Sequence, residues 1–288
     1  MKFLPMKDLL DKALREGYAV PAFCVWNAES MDVVLKTCSR LRSPVILMNG
    51  PSEFELLHPH LMAKVARSVA DFYDIPAALH VDHGDSVELI KEAIDAGYTS
   101  VMLDFSARPF IENVNALREI CRMAHLLGIT VEGEIGMVGK MDNTTEEGGK
   151  SSTLTNPEEA GEYLRQTGID ALAISIGNVH GNYTSLPRLD FDRLKKIHAR
   201  CGIPLVLHGG SGTPEEDVRK AVSLGIAKIN VASELIRSVR DTLMNLWMNN
   251  KALWVPVADS EAMKSMSPIV EKWIHKSGSA GKMDFKED

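Results

Sequence analysis

At 288 residues, with 45% hydrophobic and 25% charged side chains, the chain has the make-up of a globular protein able to fill a sizeable core. A formal charge of −7 offers no basic stripe for nucleic acid, and no apolar run approaches the roughly 18 residues of a membrane span. Cys24, Cys38, Cys121 and Cys201 are scattered without Cys-x-x-Cys spacing, and the first residues carry no secretory-leader pattern, so reduced thiols and a cytoplasmic protein are expected.

One pattern recurs from the N-terminus onward: a short apolar run ends in a polar or glycine residue, and an amphipathic stretch follows. Strands are predicted at 19–26, 44–48, 77–81, 100–104, 129–135, 170–176, 204–208 and 228–231. Between them lie helical stretches at 30–40, 60–73, 87–96, 111–127, 157–167, 191–199 and 214–224. In the fourth of these, Val114, Leu117, Ile120 and Ala124 fall on one face. Gly97, Gly128, Gly168 and Gly225 stand where helices must close before the next strand. The strands are continuously apolar, as in a parallel sheet covered by helices. Eight such units, without a Gly-x-Gly-x-x-Gly turn, predict an α/β fold of the closed (β/α)8 TIM-barrel type rather than an open sheet.

A single barrel domain over 1–288 is therefore expected, with two interruptions. Residues 137–156 form a long polar loop after the fifth strand, the kind of segment that serves as a lid or binding loop. Residues 250–288 form a tail with one further helix, carrying Ala262, Met266, Ile269, Val270, Trp273 and Ile274. That helix is expected to pack on the barrel or on a neighbouring subunit, with the Trp273 region as a contact.

Barrel strands aim their carboxyl ends at one face. The residues at those ends are Asn27, Asn49-Gly50, Asp82-His83, Asp104, Glu134, His180, His208-Gly209-Gly210 and Asn230. Three imidazoles converging at one mouth, His83, His180 and His208, suit a catalytic divalent metal, most plausibly zinc. Asp104 and Glu134 are hard oxygen donors that fit a second or alternate metal position, or that orient the histidines. The structural alternatives are a turn cap for Asp104, a lysine partner for Glu134, and a buried histidine beside a capping Asp82. His58, His60, His80, His125, His198 and His275 read as surface or core residues. The small-residue turns at Gly177–Gly181, His208–Gly212 and Asn230–Ser233 expose backbone N–H groups, the last at a helix start. Such turns bind phosphate without a basic side chain.

These pieces, together with Tyr18–Phe23, Ser100–Asp104, Val131–Gly136 and Lys228–Ser233, resemble the class II, metal-dependent ketose-phosphate aldolases, which include fructose- and tagatose-1,6-bisphosphate aldolases. The resemblance runs in order over nearly the whole chain. It implies reversible cleavage of a ketose 1-phosphate or 1,6-bisphosphate to dihydroxyacetone phosphate and an aldehyde, through a zinc-stabilised enediolate. By it, His83, His180 and His208 hold one catalytic zinc ion, and Asp104 and Glu134 match a second or alternate divalent position. A monovalent cation is a further expectation. Gly181, Gly209, Gly210, Ser211, Asn230, Val231, Ala232 and Ser233 match the dihydroxyacetone-phosphate pocket, and Asn27 joins them as a substrate residue. Asp82 matches the acid/base at the aldehyde oxygen, Asn230 the hydrogen-bond donor to the enediolate, and Asp142 the carbon base, with Glu146 and Glu147 as alternatives. A homodimer or homotetramer is implied. Departures cluster at the mouth: Cys24, Trp26, Gly50-Pro51, Gly84-Asp85-Ser86 and Ala107. They raise the alternative of a longer or unphosphorylated aldehyde. A non-catalytic barrel subunit of an aldolase complex is the remaining reading.

Overall fold

The structure, a computed structural model, describes residues 3–140, 152–181, 188–251 and 253–284. The described residues form ten strands: β1 (Val20–Cys24), β2 (Val45–Asn49), β3 (Ala77–Gly84), β4 (Ser100–Leu103), β5 (Thr130–Ile135), β6 (Gly139–Lys140), β7 (Ala171–Ile174), β8 (Val179–His180), β9 (Leu205–Leu207) and β10 (Ile226–Val231). Eight of them close into a parallel barrel in the order β1-β10-β9-β7-β5-β4-β3-β2, and β6 pairs with β8 as a separate ribbon above it. The eight barrel strands are those predicted, and the helices predicted between them are in place. The one at residues 157–167 has the expected bounds, as α-helix Pro157–Thr167.

Strand side chains alternate between faces, so each strand contributes one row to the helices outside and one to the barrel interior. The interior rows are small: Ala22, Ala78, Ala171, Ala173 and Ala227 share a buried cluster with Val20, Ile46 and Val206. The space they leave is filled by a helix that the strand–helix repeat did not predict. Met6–Glu16 buries Met6, Leu9, Leu10 and Ala13 in that same cluster. Its spacing of three and four was there to be read. The backbone N–H of Lys7 donates to Thr130 Oγ1 at 2.9 Å, and that of Leu4 to the Ala77 carbonyl at 2.8 Å. Thr130 and Ala77 both begin strands, so this helix floors the barrel at the end opposite the predicted site.

The tail differs from expectation. It holds two helices, Val255–Lys264 and Ser267–Ser277, rather than one. Pro268 at the start of the second suits its first turn, where no N–H is needed. Trp273 is not a surface contact: it is fully buried within its own chain, and its indole N–H donates to Glu234 at 3.3 Å. No helix among the described residues is long and apolar enough to cross a membrane.

Candidate active site

In a regular strand Asp82 and His83 would point to opposite faces. Here the β3–β4 register shifts between Val81 and Gly84, a bulge that lets both side chains serve the mouth. His83 takes φ 46°, the left-handed region that side chains avoid, at a cost of about 1–3 kcal/mol. Gly84 closes the bulge for a steric reason: a Cβ there would lie 2.8 Å from the Met102 carbonyl oxygen and 2.6 Å from Ile90 Cδ1.

The three predicted imidazoles come together. Ring centroids are 4.5 Å apart for His83–His208, 4.9 Å for His83–His180 and 5.7 Å for His180–His208. Carboxylates set two of the rings. Asp104 Oδ2 lies 2.8 Å from His83 Nδ1, and its other oxygen accepts from the Ser106 N–H at 3.0 Å and hydroxyl at 2.7 Å. Glu132 Oε1 lies 2.9 Å from His208 Nε2. An ionised carboxylate only accepts, so each of those ring nitrogens carries the hydrogen. His83 Nε2 and His208 Nδ1 are left facing one another at 2.8 Å. Two lone pairs cannot face each other at that distance without a cation between them.

In the metal-free protein that cation is a proton. Burial alone would lower His83, but Asp82, Asp104 and Glu134 carry it up to about 10. Burial and the charge on His83 together hold His208 down at about 4. Glu134 is pushed up to about 8 by burial and by neighbouring Asp104. Its Oε2 is buried without a hydrogen-bond partner and lies 3.8 Å from His208 Nδ1. An orphaned carboxylate oxygen beside facing imidazole nitrogens is a donor set that fits a divalent ion. Among the described residues, two of the trios whose ligand atoms are close enough to share one include His83: His83 with His180 and His208, and His83 with Asp104 and Glu134. Both use His83, so the two trios share one ring.

Asp82 sits across from these rings. Burial opposes its ionisation, but His83, His80, Lys228 and His208 hold its carboxyl well below the usual range. Asn230 Nδ2 donates to both Asp82 oxygens, at 2.9 and 3.0 Å, and Asn230 Oδ1 is buried without a partner. Asp82, His83, His180, Gly209, Ser211, Asn230 and Ala232 line one pocket together with Cys24, Asn49, Gly50 and Glu53. Gly181, Gly210, Val231 and Ser233 are chain neighbours of that lining.

The glycine turn after β9 is braced from behind. Gly209 has φ 62°, and a Cβ there would lie 2.0 Å from the Val179 carbonyl oxygen. Glu234 accepts the Gly212 N–H at 2.7 Å and is itself held by Lys272 at 2.6 Å, and the Lys276 ammonium donates to the Thr213 carbonyl. The C-terminal helix thus supports the turn expected to bind phosphate.

Asn27 does not join the pocket. Its Oδ1 accepts the Ser30 N–H at 2.9 Å, and the Ser30 hydroxyl answers the Asn27 N–H at 3.2 Å, a reciprocal cap on helix Ala28–Arg40. Asn27→Ala is therefore expected to cost about 1 kcal/mol of stability in a denaturant melt and to leave turnover unchanged. Asp142, Glu146 and Glu147 lie outside the described residues. Two polar residues went unread, Glu132 and Lys228; with His80, expected as a surface or core residue, they are fully buried inside the barrel. The available signal was parity, since Glu132 and Lys228 stand two residues before Glu134 and Asn230 in otherwise apolar strands.

The sequence model of the class II fructose-bisphosphate aldolase family matches residues 4–282. The chain is 38% identical to the D-tagatose-1,6-bisphosphate aldolase subunit GatY of Klebsiella oxytoca over 284 residues, 98% of this chain and 100% of that protein. Among solved structures, the YdjI aldolase of Escherichia coli K12 superposes with a TM-score of 0.86 at 33% identity, covering 98% of this chain and 100% of the other. A putative fructose-1,6-bisphosphate aldolase of Coccidioides immitis gives 0.84 at 32%, covering 96% and 97%. With the family's barrel, its motifs in order and a match from residue 4 to 282, the chain belongs to the class II fructose-bisphosphate aldolases.

Proposed function

We propose that this aldolase reversibly cleaves a ketose 1-phosphate or 1,6-bisphosphate to dihydroxyacetone phosphate and an aldehyde, with one zinc ion held by His83, His180 and His208. The observation that carries the reading is the convergence of those three rings on one another, with His83, His180 and the Asp82 carboxylate lining one glycine-containing pocket. Bound there, the metal would act as a Lewis acid that stabilises negative charge on the substrate oxygens. Asp104 and Glu134 are the alternate position for it.

The chain's own residues supply the rest. The turns at Gly181, Gly209–Ser211 and Val231–Ser233 receive the phosphate of the dihydroxyacetone half on backbone N–H groups, the Gly210 N–H instead bracing its turn by donating to the Asn230 carbonyl at 3.0 Å. In cleavage, ionised Asp82 takes the proton from the hydroxyl that becomes the aldehyde oxygen. The electrons of the broken carbon–carbon bond pass into the dihydroxyacetone phosphate half, which a loop acid then protonates at carbon. Asp142 is assigned that step, with Glu146 and Glu147 as the alternatives. In condensation Asp82 returns its proton, as microscopic reversibility requires. Asn230 fixes the Asp82 carboxylate and offers its amide to the enediolate oxygen.

The GatY likeness puts tagatose 1,6-bisphosphate, and the family match fructose 1,6-bisphosphate, first among substrates. A homodimer or homotetramer in the cytoplasm completes the proposal; exposed Met248, Trp254 and Val255 near the start of the tail support self-association. The test is release of dihydroxyacetone phosphate from 1,6-bisphosphates and from ketose 1-phosphates, before and after chelator treatment. Chelator-sensitive release is expected. Purified protein with no divalent metal, or turnover indifferent to chelation, would overturn the assignment. The faster of the two substrate sets identifies the aldehyde.

A further inference from the structure

Directly beneath the pocket, His80, Asp82 and Glu132 place ligand atoms close enough to share a cation. The chain already supplies one. Lys228 Nζ lies 2.8 Å from Glu132 Oε2, 3.2 Å from His80 Nε2 and 3.9 Å from Asp82 Oδ1. Lys228, Glu132 and His80 have no solvent exposure. Burial and the neighbouring Lys228 charge keep His80 neutral, so its Nε2 accepts from the ammonium. Its Nδ1 then meets Ser100 Oγ at 2.8 Å, and that hydroxyl points at Met6 Sδ in the barrel floor at 3.5 Å.

A buried lysine needs a reason. Desolvating an ammonium and a carboxylate costs several kcal/mol, and apolar residues of the same volume often serve stability as well or better. The reason here is what the ammonium holds. Glu132 grips Lys228 with one oxygen and His208 with the other, so the lysine fixes the carboxylate that fixes the ring. The same ammonium faces Asp82, and without it the Glu132 and Asp82 carboxylates would flank His80 with no cation between them.

We propose that Lys228 is a positioning residue: a covalently held internal cation that sets Glu132 behind His208 and steadies Asp82 beneath the substrate. The proposal rests on the aldolase reading above. One side chain thereby couples the orientation of a metal ligand to the placement of the proton carrier.

The test is Lys228→Met, which keeps length and removes charge, in the full chain. Zinc affinity is measured by chelator competition and turnover by dihydroxyacetone phosphate release. The expected result is zinc affinity lower by about 10–100-fold, with kcat reduced and KM little changed. Lys228→Ala should show the same losses, partly restored by added methylammonium but not by methanol of similar size. Glu132→Gln, which leaves the lysine and the volume intact, should weaken zinc binding comparably, and it decides the matter if neither lysine variant folds. Wild-type zinc affinity in Lys228→Met, or in Glu132→Gln where the former does not fold, would overturn the proposal. Failure of the wild-type protein to bind zinc would instead overturn the aldolase reading.

Discussion

His180→Ala and Asp82→Ala are expected to fail in different ways. Removing a ligand strips the site of its third ring, so zinc affinity should fall by well over about a hundredfold, more than loss of an outer-shell partner costs, and turnover should vanish with it. Asp82 belongs to neither trio around His83, so its alanine variant should keep the ion in dialysed protein. It should still lose about 10²–10⁴ in kcat, the usual contribution of a placed acid/base. Metal analysis and steady-state cleavage on the same preparations read both effects. If Asp82→Ala released the ion, or His180→Ala retained it, the division of labour across the pocket would be wrong.

A second large effect follows from the proton between His83 and His208. With His83 raised to about 10, the metal-free protein carries a proton where the ion must sit, and metal uptake has to release it. Affinity should therefore rise with pH by about tenfold per unit between about pH 7 and 9. Competition with a chelator of known protonation reads this directly, and a flat dependence would exclude it. The stability of the metal-free fold runs the other way. The folded value of His83 lies above its ordinary 6.5, so protonation contributes stability that is complete below 6.5 and is lost as pH approaches 10. The metal-loaded protein has no such proton to lose.

The barrel was legible because its strands are short, apolar and punctuated by glycine, a pattern that covered parallel strands share. The rings of His83, His180 and His208 were legible because strand ends converge whatever their separation in sequence. What stayed hidden depends on parity or on local competition. Glu132 and Lys228 lie within strands read as apolar runs, and only closure of the barrel brings the two charges together inside it. Asn27 occupies a strand end, as a substrate residue would, but a serine three positions on offers its amide a cap, and the local bond wins. Trp273 looked available for a partner because nothing in the tail's sequence reveals that it covers Glu234 and the turn after β9.

The facing rings of His83 and His208 come from positions 125 residues apart, joined only when the barrel has closed. No fragment shorter than that span can gather the ligands, so an ion that prefers this site binds the finished fold and nothing before it. At a free ion concentration a hundred times the dissociation constant, such preference adds about 2.7 kcal/mol to the native state. Metal supply would then act as a ligand-driven folding term as well as a requirement for turnover, setting how much of the chain stays folded when the ion is scarce.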